Sequence, residues 1–238
     1  MLQQGDDSLL LEAGLNWTEI LKALPNGLRG IQACLITHEH KDHCKSASYL
    51  FRYGVHTLLS AGTLNEILRT DKKARLTALN RVQVVKAGEA IYLPSFTVMA
   101  VQAAHDAVEP IAFLIRHDPT GETVLYATDT YMLPNKYPGI NHWIVECNYV
   151  TAKAEELLSK PEKAPLYERL MRSHLSLDRL VEALKANDLR WTRTIVLIHI
   201  SDERGDSDLM RETVQKTTGV RTVAAVNGMD IQLGECPF

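Results

Sequence analysis

Short runs of apolar and β-branched residues recur along the chain and predict ten β-strands, most of them buried. The runs are LLLEA from Leu9, IQACLI from Ile31, VHTLLS from Val55, RVQVV from Arg81, FTVMAVQAA from Phe96, IAFLIRH from Ile111, TVLYAT from Thr123, HWIVEC from His142, TIVLIHI from Thr194 and RTVAAV from Arg221. Segments with helical periodicity lie among them and predict helices over 17–24, 43–53, 63–70, 152–158, 166–172, 176–186 and 208–218. Helices interspersed among many strands indicate a layered α/β architecture.

Residues 96–128 break this alternation, because they are nearly all strand-like and are interrupted by the turn-forming sequence DPTGE at 118–122. Hairpins are therefore expected there. The chain has no repeat of fixed period, no low-complexity run and no linker rich in proline, glycine or serine. We therefore predict one domain over residues 1–238, built on two stacked sheets.

Composition narrows the class of protein. The 238 residues are 45% apolar, and the formal charge of −3 argues against a surface built mainly to hold duplex phosphates. No apolar run reaches the ~18 residues of a membrane span. Without paired short spacings or a secretory N-terminus, the cysteines are expected to be free thiols in a reducing, cytoplasmic compartment. They are Cys34, Cys44, Cys147 and Cys236.

Side chains that bind metals collect where predicted strands end. The sequence LITHEHKDHC at 35–44 follows a buried strand and places His38, His40, Asp42 and His43 on the loop that leaves it. Three later strands also end in such a residue, namely His105, Asp129 and His199. Five imidazoles and two carboxylates suit two adjacent four-coordinate ions if one carboxylate bridges them. Zn²⁺ is favoured, with Mn²⁺ or Fe as alternatives.

The spacing of the HxHxDH sequence has a physical explanation. Alternate residues of an extended segment point the same way, so His38 and His40 can hold one ion. A turn at Lys41 then directs Asp42 and His43 towards a second ion. Two metals roughly 3.5–4 Å apart can hold a hydroxide between them as the nucleophile, so no serine or cysteine nucleophile is needed.

At these residues the chain resembles the metallo-β-lactamase fold, a four-layer αββα sandwich with an HxHxDH loop. The resemblance runs from LLLEAG at 9–14 to HISDERGD at His199, although Glu12 stands where the family usually has aspartate. It implies that one metal is held by His38, His40 and His105, that the second is held by Asp42, His43 and His199, and that Asp129 bridges the two.

The resemblance also indicates a branch of the family. The sequences HLS at His174 and HIS at His199 are similar to those of phosphodiesterase members, including RNase Z and the YycJ/WalJ exonucleases. In those members a histidine some twenty-odd residues before the last ligand donates a proton, which implies this role for His174. HDAVEP at His105 and ATDT at Ala127 resemble the exonuclease group. Phage-encoded enzymes that degrade the cyclic nucleotide signals of Pycsar defence belong near this branch.

The expected activity is that of a dinuclear phosphodiesterase, with Asp42 and His174 as catalytic residues. A 3′,5′-cyclic mononucleotide is the favoured substrate because the chain is compact and net acidic. A DNA exonuclease and a non-catalytic, metal-dependent nucleotide-binding protein are the alternatives. Ser201 and Arg204 are candidates to contact a substrate phosphate, and the basic cluster at 72–75 is either a solvated face or steers phosphates. The resemblance implies a homodimer.

Overall fold

The computed structural model describes residues 1–24, 26–77, 79–159 and 161–234. The chain forms two compact units. Unit 1 comprises Met1–Gln102, Ala107–Phe113 and His117–Thr120, and unit 2 comprises Ala103–Asp106, Leu114–Arg116 and Gly121–Phe238. The single domain expected from the sequence stays a prediction.

All ten predicted strands are present, and the described residues contain two more at the start of the chain and before the seventh strand. The strands are β1 (Leu2–Gln4), β2 (Asp7–Leu11), β3 (Ile31–Leu35), β4 (Thr57–Leu59), β5 (Val82–Val84), β6 (Ala90–Tyr92), β7 (Phe96–Gln102), β8 (Ile111–His117), β9 (Thr123–Ala127), β10 (His142–Glu146), β11 (Thr194–Ile198) and β12 (Arg221–Ala224). The unpredicted strands, β1 and β6, are only three residues long, which is too short to show an alternating pattern in the sequence.

Helices form in all the predicted segments, although one segment is divided in two. The α-helices are α1 (Trp17–Ala23), α2 (Lys41–Cys44), α3 (Ala47–Arg52), α4 (Ala61–Thr70), α5 (Thr151–Glu155), α6 (Ala164–Ser173), α7 (Leu177–Lys185) and α8 (Ser207–Thr218). The helix predicted over 43–53 is interrupted at Ser46, whose amide N–H donates to Ala13 O (2.8 Å) and whose hydroxyl donates to Leu15 O (2.7 Å). These bonds divert the chain from a continuous helix.

Unit 1 contains a sheet with strand order β1-β2-β3-β4-β5. β1 pairs antiparallel with β2, and the remaining pairs are parallel. β6 and β7 form an antiparallel hairpin in the same unit, one strand of which lies before the segment 96–128 where hairpins were expected. The buried core joins the sheet to its helices through Leu10, Cys34, Leu59, Ile20, Leu50 and Ile67.

Unit 2 contains four parallel strands in the order β9-β10-β11-β12. Their register places Ala127 opposite Val145, Val145 opposite Leu197, and Leu197 opposite Ala224. The carboxyl ends of parallel strands share one edge of a sheet, so the residues that follow β9, β10 and β11 emerge side by side. This register determines which side chains meet in unit 2.

Among the described residues, Cys34, Cys44 and Cys147 are free, as expected, and buried. Burial raises the pKa of the Cys44 thiol to about 11, which keeps it protonated and unreactive. Cys236 lies outside the described residues. None of the helices in the described part of the chain has the length and apolarity needed to cross a membrane.

Candidate metal centre

The loop after β3 gathers the first group of predicted ligands in unit 1. His38 Nε2 lies 3.0 Å from His40 Nδ1, so the two rings converge as expected for alternate residues of an extended segment. The His38 and His43 ring centroids are 4.2 Å apart. His38 and His43 are buried, and His40 is half-buried. Three imidazoles therefore share a small volume.

The turn predicted at Lys41 is helical, because Lys41 is the first residue of α2. His40 is extended (φ −62°, ψ 148°) and serves as the N-cap, and its carbonyl accepts from His43 N and Cys44 N, both at 2.9 Å. This single helical turn carries the remaining two predicted ligands of the loop. Asp42 Oδ2 lies 3.5 Å from His43 Nε2, and the Asp42 side chain is 66% exposed.

The end of β2 supports this ligand turn. Ala13 N donates to His43 O (2.8 Å). Gly14 packs so closely that a Cβ there would lie 1.5 Å from Asp42 O. Glu12 adopts the left-handed conformation (φ 65°), and both its carboxylate oxygens accept from Thr37 N at 3.3 Å. Glu12 Oε1 also lies 3.6 Å from His43 Nδ1.

A second cluster lies at the carboxyl edge of the parallel strands of unit 2. Asp129 follows β9 and His199 follows β11, and both are left-handed, with φ values of 47° and 55°. His199 Nδ1 lies 3.0 Å from Asp129 Oδ1 and 2.8 Å from Glu146 Oε1. Asn148 Nδ2 donates to His199 O (2.8 Å), which fixes the backbone of this ligand.

Glu146, the last residue of β10, is fully buried at the centre of this cluster. Its Oε1 accepts from Nδ1 of His174 (2.7 Å) and of His199 (2.8 Å). Its Oε2 accepts from the amides of Thr130 (2.9 Å) and Leu175 (3.2 Å). The sequence analysis missed Glu146. The available signal was an acidic residue ending a strand, HWIVE, whose other residues are apolar or aromatic.

His105 joins the same cluster from its own short segment of unit 2. Its Nδ1 donates to Ser173 O (2.7 Å), which fixes the tautomer and leaves Nε2 as the atom that can bind a metal. That Nε2 lies 3.5 Å from Asp129 Oδ2. The His105 and His174 ring centroids are 5.4 Å apart. Three of the seven predicted ligands, together with the predicted proton donor, are thus neighbours in unit 2.

The charge and donor atoms of this cluster suit a divalent cation. Burial disfavours the charged form of His199, but the carboxylates of Asp129 and Glu146 outweigh burial and raise its pKa to about 10. Ligand atoms of Asp129, Glu146, His174 and His199 all lie within 4.8 Å of one another. Buried carboxylates and imidazoles in such proximity are the donors that zinc and manganese prefer.

The two candidate phosphate contacts have other partners. Ser201 Oγ accepts from Arg204 N (3.3 Å), which closes the turn after His199. The guanidinium of Arg204 pairs with Glu203 (2.8 Å), and its side chain is only 17% exposed. These contacts assign both residues a local structural role, and their contact with substrate stays a prediction.

Comparison with known proteins places these features in a family. The model of the beta-lactamase superfamily domain matches residues 8–200. Exodeoxyribonuclease WalJ of Streptococcus pneumoniae serotype 2 is 25% identical over 223 residues, covering 90% of this chain and 81% of WalJ. This match supports the expected branch, which includes RNase Z and YycJ/WalJ.

Solved structures resemble the whole chain at low sequence identity. The metallo-β-lactamase fold protein YhfI from Bacillus subtilis aligns with a TM-score of 0.69 and 15% identity over 95% of this chain and 88% of YhfI. The short form of human tRNase Z aligns with a TM-score of 0.62 and 14% identity over 98% of this chain and 91% of the human chain. These likenesses confirm the predicted metallo-β-lactamase fold.

Proposed function

The chain belongs to the beta-lactamase superfamily, and from this premise we propose that it is a metal-dependent phosphodiesterase that degrades DNA from an end. The observation that carries the proposal is the Glu146–His174 pair beside Asp129 and His199, because it adds a proton donor to a cluster of metal ligands. The match to an exodeoxyribonuclease over 90% of the chain supports DNA as the substrate. For this reason we propose DNA ahead of the 3′,5′-cyclic mononucleotide that the sequence analysis favoured.

We propose that the predicted ligands would bind two divalent ions; these ligands are His38, His40, Asp42, His43, His105, Asp129 and His199. Zn²⁺ is the first candidate, because imidazoles dominate the donor set, and Mn²⁺ is the second. When bound, such a pair lowers the pKa of a water molecule and offsets the negative charge that develops on a phosphate. The supporting observation is the fit of the donor atoms, including Nε2 of His105, whose other nitrogen donates to a backbone carbonyl.

The residues of the chain then have distinct tasks. Glu146 accepts from His174 Nδ1, which orients the ring and leaves Nε2 to donate a proton to the departing oxygen. Such general acid catalysis contributes roughly 10²–10⁴-fold. Glu12 holds the ligand loop through Thr37 N. Asp42 binds metal from an exposed position, and Ser201 and Arg204, which follow His199 in the sequence, are candidates to contact the substrate phosphate.

A 3′,5′-cyclic mononucleotide is the second candidate substrate, favoured by the formal charge of −3, which suits a ligand with a single phosphate better than a long polyanion.

A homodimer also stays a prediction, which light scattering after size-exclusion chromatography tests. In the third alternative, a nucleotide-binding protein without turnover, a nucleotide protects against heat and no product forms.

The deciding experiment incubates purified protein and Mn²⁺ or Zn²⁺ with end-labelled single-stranded DNA, blunt duplex DNA and cyclic mononucleotides. We expect mononucleotide release from DNA, and a fall in kcat/KM of more than about 100-fold in His40→Ala. His56→Ala is the matched control, because His56 bonds Gln83 (3.0 Å) away from the ligand loop.

Two results of this experiment would contradict the proposal. If only cyclic mononucleotides are hydrolysed, the assignment to DNA is wrong and the second candidate replaces it. If no phosphodiester is hydrolysed, or if His40→Ala matches the wild type, the enzyme assignment itself is wrong.

A further inference from the structure

Three aromatic side chains stack on the surface of unit 1, and we call Trp17, Tyr49 and Tyr53 the aromatic platform. Trp17 lies parallel to Tyr49 (centroids 5.4 Å apart, planes at 7°) and to Tyr53 (5.2 Å, 7°). The tyrosines are four residues apart on and just after α3, so they share one helix face. Tyr53 is 56% exposed, and the other two are half-buried. The Tyr53 ring is therefore accessible to solvent and is backed by Trp17, which stacks on it.

Cationic side chains border the aromatic platform. Lys73 Nζ lies 6.0 Å from the centroid of the Tyr49 ring. A Cβ added to Gly54, the residue after Tyr53, would meet Cγ of Arg81 at 4.0 Å. Both cationic residues are exposed. Positive charge therefore lies over Tyr49, and the side chain of Arg81 lies beside the residue that follows Tyr53.

The segment that carries the two tyrosines is basic in an otherwise acidic chain. Residues 41–81 contain eight lysines and arginines against three aspartates and glutamates, a formal charge of +5, whereas the whole chain carries −3. Two of the three acids are engaged locally. Glu66 pairs with Arg69 (2.6 Å), and Asp71 accepts from Lys73 N (2.8 Å). The platform is therefore complementary to a polyanion.

Hydrogen bonds connect the aromatic platform to the ligand turn within unit 1. Ser46, between α2 and α3, donates to Ala13 O through its amide and to Leu15 O through its hydroxyl (2.8 and 2.7 Å). These two bonds connect the segment just before α1, the helix that begins with Trp17, to the helical turn that carries Asp42 and His43. The platform is therefore held in a fixed position relative to these proposed ligands.

We propose that the aromatic platform binds single-stranded DNA by stacking its bases on Tyr53 and the neighbouring rings while Lys73 and Arg81 contact phosphates. The inference rests on the proposed function and specifies how substrate approaches the ligand turn. Every base has an apolar π-face, so stacking tolerates any sequence. Bases within a duplex are already stacked on each other, so the platform selects single strands.

The test measures the affinity for a fluorescein-labelled oligothymidylate of roughly 12 nucleotides by fluorescence anisotropy. EDTA is present so that metal-dependent cleavage is suppressed. We expect Tyr53→Ala to weaken binding about five- to hundredfold and Tyr53→Phe, which keeps the ring, to bind like the wild type. Tyr92→Ala is the matched control, because Tyr92 is 79% exposed on β6, outside the platform. Equal affinities for Tyr53→Ala and Tyr92→Ala would overturn the proposal.

The ionic contribution is measured separately. Lys73→Glu is expected to reduce the slope of log affinity against log salt by about 0.7 for each phosphate that the lysine neutralises in the wild type. Lys216→Glu, at an exposed position of α8, makes the same charge change elsewhere and is expected to leave the slope unchanged. A blunt duplex that binds as tightly as the single strand would refute stacking as the basis of recognition.

Tryptophan fluorescence reports on stacking directly. In a Trp191→Phe protein the remaining tryptophans are Trp17 and the fully buried Trp143, so quenching by DNA reports on Trp17. We expect saturable quenching with the dissociation constant found by anisotropy, and unquenched fluorescence at saturating DNA would contradict the proposal.

Hydrolysis of bis(p-nitrophenyl) phosphate by the metal-loaded protein separates the two proposals. Turnover that is equal in wild type and Tyr53→Ala, together with unchanged DNA binding, refutes the platform alone. Absence of turnover on every phosphodiester, with Tyr53-dependent DNA binding intact, refutes the proposed function while the platform stands.

Discussion

At the scale of single residues, Glu146 provides the most direct test of the proposed proton transfer. Glu146→Gln keeps the shape of the side chain but removes the carboxylate that accepts from Nδ1 of both His174 and His199. We expect kcat/KM on DNA to fall by about 10²-fold, as in His174→Ala, because general acid catalysis is lost in both. The double variant is expected to lose little more, since the two residues act as a unit.

The matched control is Glu122→Gln, because Glu122 also accepts from a histidine, His142 (2.8 Å), but lies outside the cluster. Full activity of Glu146→Gln, or additive losses in the double variant with His174→Ala, would show that the pair does not act in catalysis.

His199 provides a prediction about pH. In the metal-free protein its pKa is raised to about 10, so it carries a proton at neutral pH that a metal ion must displace. Metal affinity is therefore expected to rise about tenfold per pH unit between pH 7 and 9, with release of roughly one proton. Calorimetry in two buffers with different ionisation enthalpies measures that proton. Equal heats in both buffers would contradict the expectation.

The same pKa determines how His199 affects stability without metal. Because the folded pKa lies above the ordinary value of 6.5, the stabilisation is fully present below pH 6.5 and is lost as the pH rises through about 10.

The sequence identified the proposed ligands but missed the residues that hold them. His38, His105 and His199 follow apolar strands, and a polar residue at such a position is conspicuous in any sequence. Glu146 ends an apolar strand and Glu12 follows one, but the sequence does not indicate what they hold, because their partners are a histidine 28 residues away and a backbone amide 25 residues away. Only the folded chain brings these partners together.

At the scale of elements, the contact between the end of β2 and α2 provides the next prediction. A Cβ at Gly14 would lie 1.5 Å from Asp42 O and 2.9 Å from His43 N, both backbone atoms that cannot rotate away. We expect Gly14→Ala to displace α2, to lower the free energy of unfolding by about 2–3 kcal/mol and to weaken metal binding. Urea unfolding and metal titration measure the two effects.

Gly121→Ala separates displacement of α2 from a general loss of stability. Gly121 has a φ of 75° with nothing near its Cβ position, so alanine there costs about 1–2 kcal/mol of backbone strain and leaves metal binding unchanged. Metal affinity equal to that of the wild type in Gly14→Ala would show that the contact does not position the ligands.

Sequence periodicity was most reliable for elements with a strong internal pattern. Runs such as TIVLI form strands because β-branched residues suit the pleated, buried setting of β11, where four of five residues are buried. The break at Ser46 was not predictable, since it depends on bonds to Ala13 and Leu15 some thirty residues earlier. Local pattern specifies local structure, whereas interruptions come from distant parts of the chain.

At the scale of the whole molecule, metal binding to the proposed ligands is expected to stabilise the fold. A free ion concentration 100 times the dissociation constant adds about 2.7 kcal/mol per site to the free energy of unfolding. His40→Ala in unit 1 and His199→Ala in unit 2 should each reduce this gain, and His56→Ala should not. Urea unfolding in the presence of Zn²⁺ and in the presence of EDTA measures this gain in the free energy of unfolding. A variant that keeps the full gain would show that the substituted histidine is not a metal ligand.

The left-handed backbone at Glu12, Asp129 and His199 determines what a substitution at these positions would gain and lose. These are the only non-glycine residues with positive φ in the described part of the chain, and each disfavours folding by about 1–2 kcal/mol relative to glycine. Glycine at these positions would relieve the backbone strain, but it would remove two proposed ligands and the support of a third. At these three positions the protein therefore retains backbone strain where the proposed chemistry requires a side chain.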